Sequence, residues 1–290
     1  VTDGTLNRRE LLATSLVLGA LGTMAKGTAA ESQSADVPVI DTNISLFQWP
    51  FRRLPLDDTA KLVGKLRSLG ISEAWASSFE GVLHRDITSV NTRLAEECQR
   101  FPELNPIGVI NLNLPGWQDD VRRCFDQHHM PGVRLFPSYH GYTLADDVFV
   151  ELLAMAARAN RFVQIPQTLE DRRTQHPLVH VADVDLNPLA SVMQMVPAAR
   201  VQILNLRPRL DVVKKLEPID RITFDTARVD STDGVAKMLE VVPGRVALGT
   251  HAPFLIPEAA LIRLAENPLE ADSLLSILNR TADNLIGAAR

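Results

Sequence analysis

The sequence predicts an α/β fold, a (β/α)8 TIM barrel in a single domain, and three observations carry the prediction. From residue 38 onward, eight short apolar, β-branched runs alternate with segments of helical period. The chain has 290 residues and is 46% apolar, enough for the single large core that a barrel of about 250 residues needs. Polar residues gather at the C-terminal ends of several runs, where a barrel of this type keeps its active site.

The first 36 residues read as separate from that fold. Arg8 and Arg9 stand directly before an uncharged apolar run from Leu11 to Ala25, and small residues Thr28, Ala29 and Ala30 follow. The run is too short for a bilayer span and has the length of a signal-peptide core. The expectation is a twin-arginine signal peptide over 1–30, a polar linker over 31–36 and an exported, periplasmic barrel over 37–290.

The predicted strands are 38–46, 73–79, 106–113, 132–137, 162–167, 200–206, 221–226 and 245–250. Helices are expected between them, as at 58–69, where Leu62, Val63, Leu66 and Leu69 form one face. Segments 149–159 and 186–196 follow the same pattern. The count of eight favours a closed barrel over an open sheet.

A formal net charge of −5 and 5% aromatic residues exclude a basic or base-stacking surface for nucleic acid. A small molecule is the expected partner. Cys98 and Cys124 both fall in helical segments without a Cys-x-x-Cys spacing, which reads as two ordinary buried thiols.

Strand side chains alternate between faces. In the first strand this groups Val39, Asp41, Asn43 and Ser45, expected to face the barrel interior, against Ile40, Thr42, Ile44 and Leu46. In the last strand Ala247, Gly249 and His251 share a face, and the two small residues leave room for the ring. Thr223 and Asp225 point inward together on the seventh.

The candidate residues follow from these positions. His251 suits a general base near neutral pH, or a hydrogen-bonded structural role. Asp225 could orient a histidine, and Asp41 reads as structural. Arg134 suits a carboxylate ligand, or an internal ion pair with Asp41 or Asp225. His140, in the loop after the fourth strand, and His176 and Arg172, in the charged loop after the fifth, lie where catalytic groups collect. Asn43 is a substrate-contact candidate. His84 is a further histidine on the active face, while His128 and His129 suit a helix C-terminus. Trp49 reads as core packing, or as part of an apolar wall or lid.

The order of four segments resembles the amidohydrolase-related superfamily. Val39-Ile40-Asp41-Thr42-Asn43-Ile44-Ser45 is similar to its Ile-Asp-x-His-x-His opening, and Gly132-Val133-Arg134-Leu135 to its Gly-hydrophobic-Arg-Leu segment. Gly249-Thr250-His251-Ala252-Pro253 is similar to its Gly-(Thr/Ser)-Asp-x-Pro, and residues 277–285 to its closing helix.

The resemblance implies a divalent metal such as zinc, but the two strand-one histidines align with Asn43 and Ser45, and the metal-binding aspartate with His251. Histidine positions of strands five and six fall among Gln164, Pro166 and Asn205. Amides and hydroxyls are poor zinc ligands. One branch of the superfamily, the pyrone-dicarboxylate lactonases, hydrolyses without a metal. The leading expectation is therefore a metal-free hydrolase acting on a small anionic ester, lactone or C–N substrate, with His251, Asp225 and His176 catalytic and Asn43, Arg134, His140 and Arg172 binding substrate. A decarboxylase of the same superfamily and a catalytically inactive, ligand-binding barrel are the alternatives.

Overall fold

The computed structural model describes residues 37–207 and 210–287. The signal-peptide and linker expectations fall on residues 1–36 and lie outside the described residues. No helix among the described residues is long and apolar enough to cross a membrane.

The eight staves of the barrel are built from nine strand segments. They are β1 (Ile40–Leu46), β2 (Glu73–Ser78), β3 (Leu104–Pro106), β4 (Gly108–Ile110), β5 (Gly132–Leu135), β6 (Phe162–Pro166), β7 (Arg200–Leu204), β8 (Ile222–Asp225) and β9 (Val246–Ala247). β3 and β4 are two halves of one stave separated by Ile107, so the third predicted strand begins two residues earlier than expected. Every strand pair is parallel, in sequence order from β1 to β3 and from β4 to β9.

The barrel closes where the last stave returns to the first. Thr42 N–H donates to the Leu248 carbonyl at 2.9 Å, His251 N–H to Asn43 at 2.8 Å and Ser45 N–H to Ala252 at 2.9 Å. Without these bonds the two edge strands would leave their backbone groups unpaired.

The helices form where the periodicity places them. α1 (Thr59–Ser68) is capped by Asp58, whose side chain accepts from Lys61 N–H, and buries Leu62, Val63 and Leu66. α2 (Ile87–Gln99) is capped in the same way by Asp86, which accepts from Ser89 N–H. Each cap satisfies an amide that the helix itself cannot. Outside the sheet, Ile44, Leu46, Val133 and Ile165 pack with helical residues such as Leu62, Leu66, Leu152 and Leu153 in the main apolar core. Cys98 and Cys124 are free, buried thiols in this shell.

Inside the barrel the side chains form layers. The lowest contains Ile40, Trp75, Ile107 and Phe162, closed from below by Ala282 and Leu285 of the C-terminal helix α3 (Thr281–Ile286). Trp75 and Phe162 stack with centroids 4.9 Å apart, a contact worth about 0.5–1.5 kcal/mol beyond the area it buries. The middle layer is polar. Gln164 Nε2 donates to the Thr42 carbonyl and to Gln202 Oε1, and Gln202 Nε2 donates to Thr42 Oγ1, all at 2.8 Å.

This corrects the expected parity of the first strand. Ile40 and Thr42 face the interior, and Val39 belongs to the outer core. Pairing with β2 slips by one residue between Asp41 and Ile44. Beyond the slip, Asn43 and Ser45 reach inward as expected. A bulge of this kind reverses the faces of a strand.

Candidate active site

Above the polar layer, Arg134 of β5 is 1% exposed. Its Nε donates to Gln164 Oε1 at 2.9 Å, and its Nη1 donates to the Ile44 carbonyl at 2.9 Å and to Ser45 Oγ at 3.3 Å. All of these partners are neutral. Nη2 is buried and has no partner among the described residues. Burial pulls this guanidinium down to about 9, with Asp225 and Asp41 acting through space to oppose the fall. The internal ion pair considered for Arg134 is thus not formed by direct hydrogen bonds.

Beside it, Asn43 Nδ2 donates to Asp225 Oδ2 at 2.6 Å and to Asn205 Oδ1 at 2.8 Å, and Asn205 N–H donates to Asp225 Oδ1 at 2.9 Å. Asn43 Oδ1 and Asn205 Nδ2 are buried without partners. Asp225 therefore orients an asparagine, not the histidine expected for it. Burial pushes its carboxyl up to about 6, against the hydrogen bonds from Asn43 and Asn205.

Asp225 also explains Gly249. A Cβ there would lie 2.7 Å from Asp225 Oδ2. The room left by the small residues of the last stave is taken by this carboxylate, and not by the His251 ring.

Asp41 lies against the end of the last stave. It accepts from Asn43 N–H at 3.1 Å, Thr250 N–H at 3.0 Å and Thr250 Oγ1 at 2.6 Å. Burial outweighs these bonds and raises its carboxyl to about 7. The folded value lies above the ordinary carboxylate value, so the stabilising protonated form is complete below about pH 4. It is lost as pH rises toward 7. Asp41→Asn holds the group neutral, and wild type should lose on the order of a few kcal/mol more stability than this variant between pH 4 and 8. Urea unfolding at several pH values checks this; parallel curves for the two proteins would contradict it.

The histidines do not meet. His251 is 1% exposed, and its Nε2 faces the Leu169 carbonyl at 2.8 Å. A carbonyl can only accept, so Nε2 carries the proton and Nδ1 is the bare nitrogen. Burial, helped by Arg228 and Arg134, lowers this imidazole to about 3. That corrects its assignment as a general base near neutral pH: the ring is neutral but weakly basic.

His140 Nε2 instead bonds the Gly81 carbonyl at 3.0 Å. His176 is exposed, with its ring 6.0 Å from Phe51, and Arg172 is exposed as well. His84 is exposed. His128 and His129 end a helical turn, as expected.

Aromatic rings separate these histidines. Trp49 is 2% exposed, with centroids 5.3 Å from both Phe51 and Phe79, 5.9 Å from Tyr139 and 4.9 Å from Phe254. Phe254 stacks on His251 at 5.0 Å. Arg52 lies over Phe254 and pairs with buried Glu170, tying the loop after β1 to the loop after β6. Trp49 thus serves both uses considered for it, since it packs a core that is itself the cover of the barrel mouth.

The donor set does not fit a divalent metal. Among the described residues no three His, Cys, Asp or Glu side chains converge to hold one. The positions that the sequence resemblance sets against metal ligands carry Asn43, Ser45, Asn205 and His251, of which only the imidazole is a good ligand, and a guanidinium already donates to Ser45. A catalytic zinc takes about three ligands from imidazole, thiolate or carboxylate, and a fixed positive charge beside them would repel it.

Sequence reasoning missed Gln164 and Gln202 as network members, the buried Glu170, and Arg228 in the loop after β8. Their only signal was position. Each stands within or just beyond a predicted strand, and long polar side chains there call for a partner.

No family model matches the sequence, and no curated protein matches it. Solved structures do match. 5-Carboxyvanillate decarboxylase from Sphingomonas paucimobilis superposes with a TM-score of 0.70 at 13% identity, covering 86% of this chain and 99% of that one. The Novosphingobium aromaticivorans 5-carboxyvanillate decarboxylase, solved with manganese and 4-hydroxy-3-methoxy-5-nitrobenzoic acid, gives 0.70 at 13% over 88% and 97%. 2,6-Dihydroxybenzoate decarboxylase from Rhizobium gives 0.66 at 11% over 86% and 98%. The resemblance read from the sequence segments is met at the level of the fold by these barrels.

Proposed function

We propose that this chain takes a small aromatic acid into the upper barrel, with Arg134 in place of a metal as the positive charge, and decarboxylates it using Asp225 as the proton donor. The observation that carries the reading is Arg134, a fully buried guanidinium bonded only to neutral groups and with Nη2 unpartnered. An uncompensated buried charge costs several kcal/mol, and a carboxylate with parallel oxygens is the ligand that a guanidinium fork best satisfies.

Three further features support it. Asn43 Oδ1 and Asn205 Nδ2 add a buried acceptor and a buried donor without partners. Phe47, Asn205 and His251 all have positive φ and follow β1, β7 and β9 at the barrel mouth. Strain of this kind gathers at functional sites. The aromatic cover excludes water, which strengthens every charge interaction below it.

In the reaction, Asp225 gives its proton to the ring carbon bearing the carboxylate. The bond to the carboxyl carbon then breaks, its electron pair restores the ring, and CO2 leaves. Solvent returns the proton to Asp225. A carboxyl near 6 is suited to this at mildly acidic pH. Hydrolysis is less well served, because His251, the base it would require, is held near 3.

The test is CO2 release from 2,6-dihydroxybenzoate, 5-carboxyvanillate and related hydroxybenzoates, with excess EDTA. Release that survives the chelator is expected. No release from any aromatic acid, or release that follows added manganese, would overturn the proposal. The second reading, binding without turnover, is favoured by Asp225, both of whose oxygens already accept hydrogen bonds, from Asn43 Nδ2 and Asn205 N–H. Calorimetric binding of benzoates without CO2 release would select it.

A further inference from the structure

We propose that the N-terminal end of the barrel, the face opposite the candidate active site, carries a separate site for a phosphate group, held by Arg200, Arg221 and Arg245. The inference does not depend on the organic-acid reading above.

Four successive staves start with an arginine. Arg161 stands directly before β6, Arg200 opens β7, and Arg221 and Arg245 stand directly before β8 and β9. The sheet register draws them together. Phe162 pairs with Arg200, Val201 N–H donates to the Arg221 carbonyl at 3.0 Å, and Phe224 N–H donates to the Arg245 carbonyl at 2.8 Å. Arg200, Arg221 and Arg245 line one cavity of about 270 Å3, with Thr281 and Asn284 of the closing helix α3 on its wall.

The guanidiniums are anchored but not neutralised. Arg200 Nη2 donates to the Asn160 carbonyl at 2.7 Å and to Asn160 Oδ1 at 2.8 Å. Arg245 donates through Nη1 to the Ile219 carbonyl and through Nη2 to the Glu217 carbonyl. These carbonyls follow the helices Asp147–Arg158 and Leu210–Leu216, whose C-terminal ends favour a cation. Helix ends thus explain where two of the arginines are fastened. A carbonyl is neutral, however, and cancels no full charge.

Among the described residues, none of the four arginines pairs with a carboxylate, and Arg221 makes no side-chain hydrogen bond. Asp220, which is exposed, is the single acid on the cavity wall. Three arginines against one aspartate leave the cavity positive. Burial lowers the Arg200 guanidinium, and repulsion from Arg221 and Arg161 lowers it further.

An anion in the cavity would relieve that repulsion. A carboxylate offers two oxygens in one plane, whereas a phosphate presents oxygens in several directions and carries nearly two charges at pH 8. It therefore suits guanidiniums that arrive from three adjacent staves. Because two of these are already fixed by backbone carbonyls, little side-chain entropy remains to be lost on binding.

The experiment is calorimetric titration at pH 8 and constant ionic strength with inorganic phosphate and with phenyl phosphate. Saturable binding of at least one of them to wild type is expected. Arg221→Gln should weaken it about tenfold or more, a difference of about 1.4 kcal/mol, and Arg221→Lys should keep part of the affinity. Arg134→Met, at the other end of the barrel, and Arg122→Gln, on an outer helix, should leave it unchanged. Tighter binding of the ester would support a phosphorylated small molecule as the ligand, and binding of inorganic phosphate alone would support the free ion. Absence of saturable binding to wild type, which needs no variant to measure, would overturn the proposal. So would an affinity that survives Arg221→Gln, or one that falls as much in Arg134→Met or Arg122→Gln as in Arg221→Gln.

Discussion

Arg134→Met is expected to weaken benzoate binding at least about 30-fold, because removing one member of a desolvated charge pair costs about 2–5 kcal/mol or more. Methionine fills similar volume, and the loss is electrostatic. The same variant carries a second signature. Arg134 helps to hold the Asp225 carboxyl down, and Asp41 and Asp225 lie close enough for each to oppose the lowering of the guanidinium. Without that charge both carboxyls rise further above their unfolded values. The stability they provide when protonated is then lost over a higher and wider pH range. Arg134→Met should therefore lose more stability than wild type between pH 5 and 8 in urea titrations. Benzoate affinity equal to wild type would remove Arg134 from the site.

Asp225→Asn is expected to lower CO2 release by about 1,000-fold, within the span of proton-transfer effects, while benzoate affinity changes far less. A fall in kcat without an equal rise in KM is the mark of a group used in the transition state. The direction of the pH profile follows from the same residue. The donor must be protonated, and its carboxyl lies near 6. Wild-type turnover should thus fall as pH rises through about 6. The profile matters because the variant also disturbs the ground state: an amide offers one acceptor where Asp225 supplies two, to Asn43 Nδ2 and Asn205 N–H. Wild-type turnover that stays flat from pH 5 to 8 would show that Asp225 is not the donor.

Much of the scaffold was legible because it rests on local rules. Apolar runs and helical periods are repeated patterns, and the buried face of Leu62, Val63 and Leu66 follows from their spacing alone. That Asn43 and Ser45 are poor ligands for zinc is likewise a matter of residue type alone. The site was harder to read because it is made between staves. Arg134 reaches Ile44 and Ser45, about ninety positions earlier in the chain. Asp41 meets Thr250 across 209 positions. No periodicity reports which of two polar groups will be left without a partner, as Arg134 Nη2 is among the described residues.

The sequence by itself determined the alternation of strands and helices and the residue types that stand at the ends of the strands. Only the tertiary structure decided how those residues are partnered. A one-residue slip in β1 put Thr42 inside with Asn43 and Ser45. Closure of the last stave onto β1 fixed Asp225 against Gly249. The packing of Trp49 and Phe254 sealed His251 beneath the cover. The physical reason is burial. A side chain's charge and hydrogen-bonding capacity are written in its type, but whether water, another residue or a ligand satisfies them is set when eight staves close and exclude the solvent.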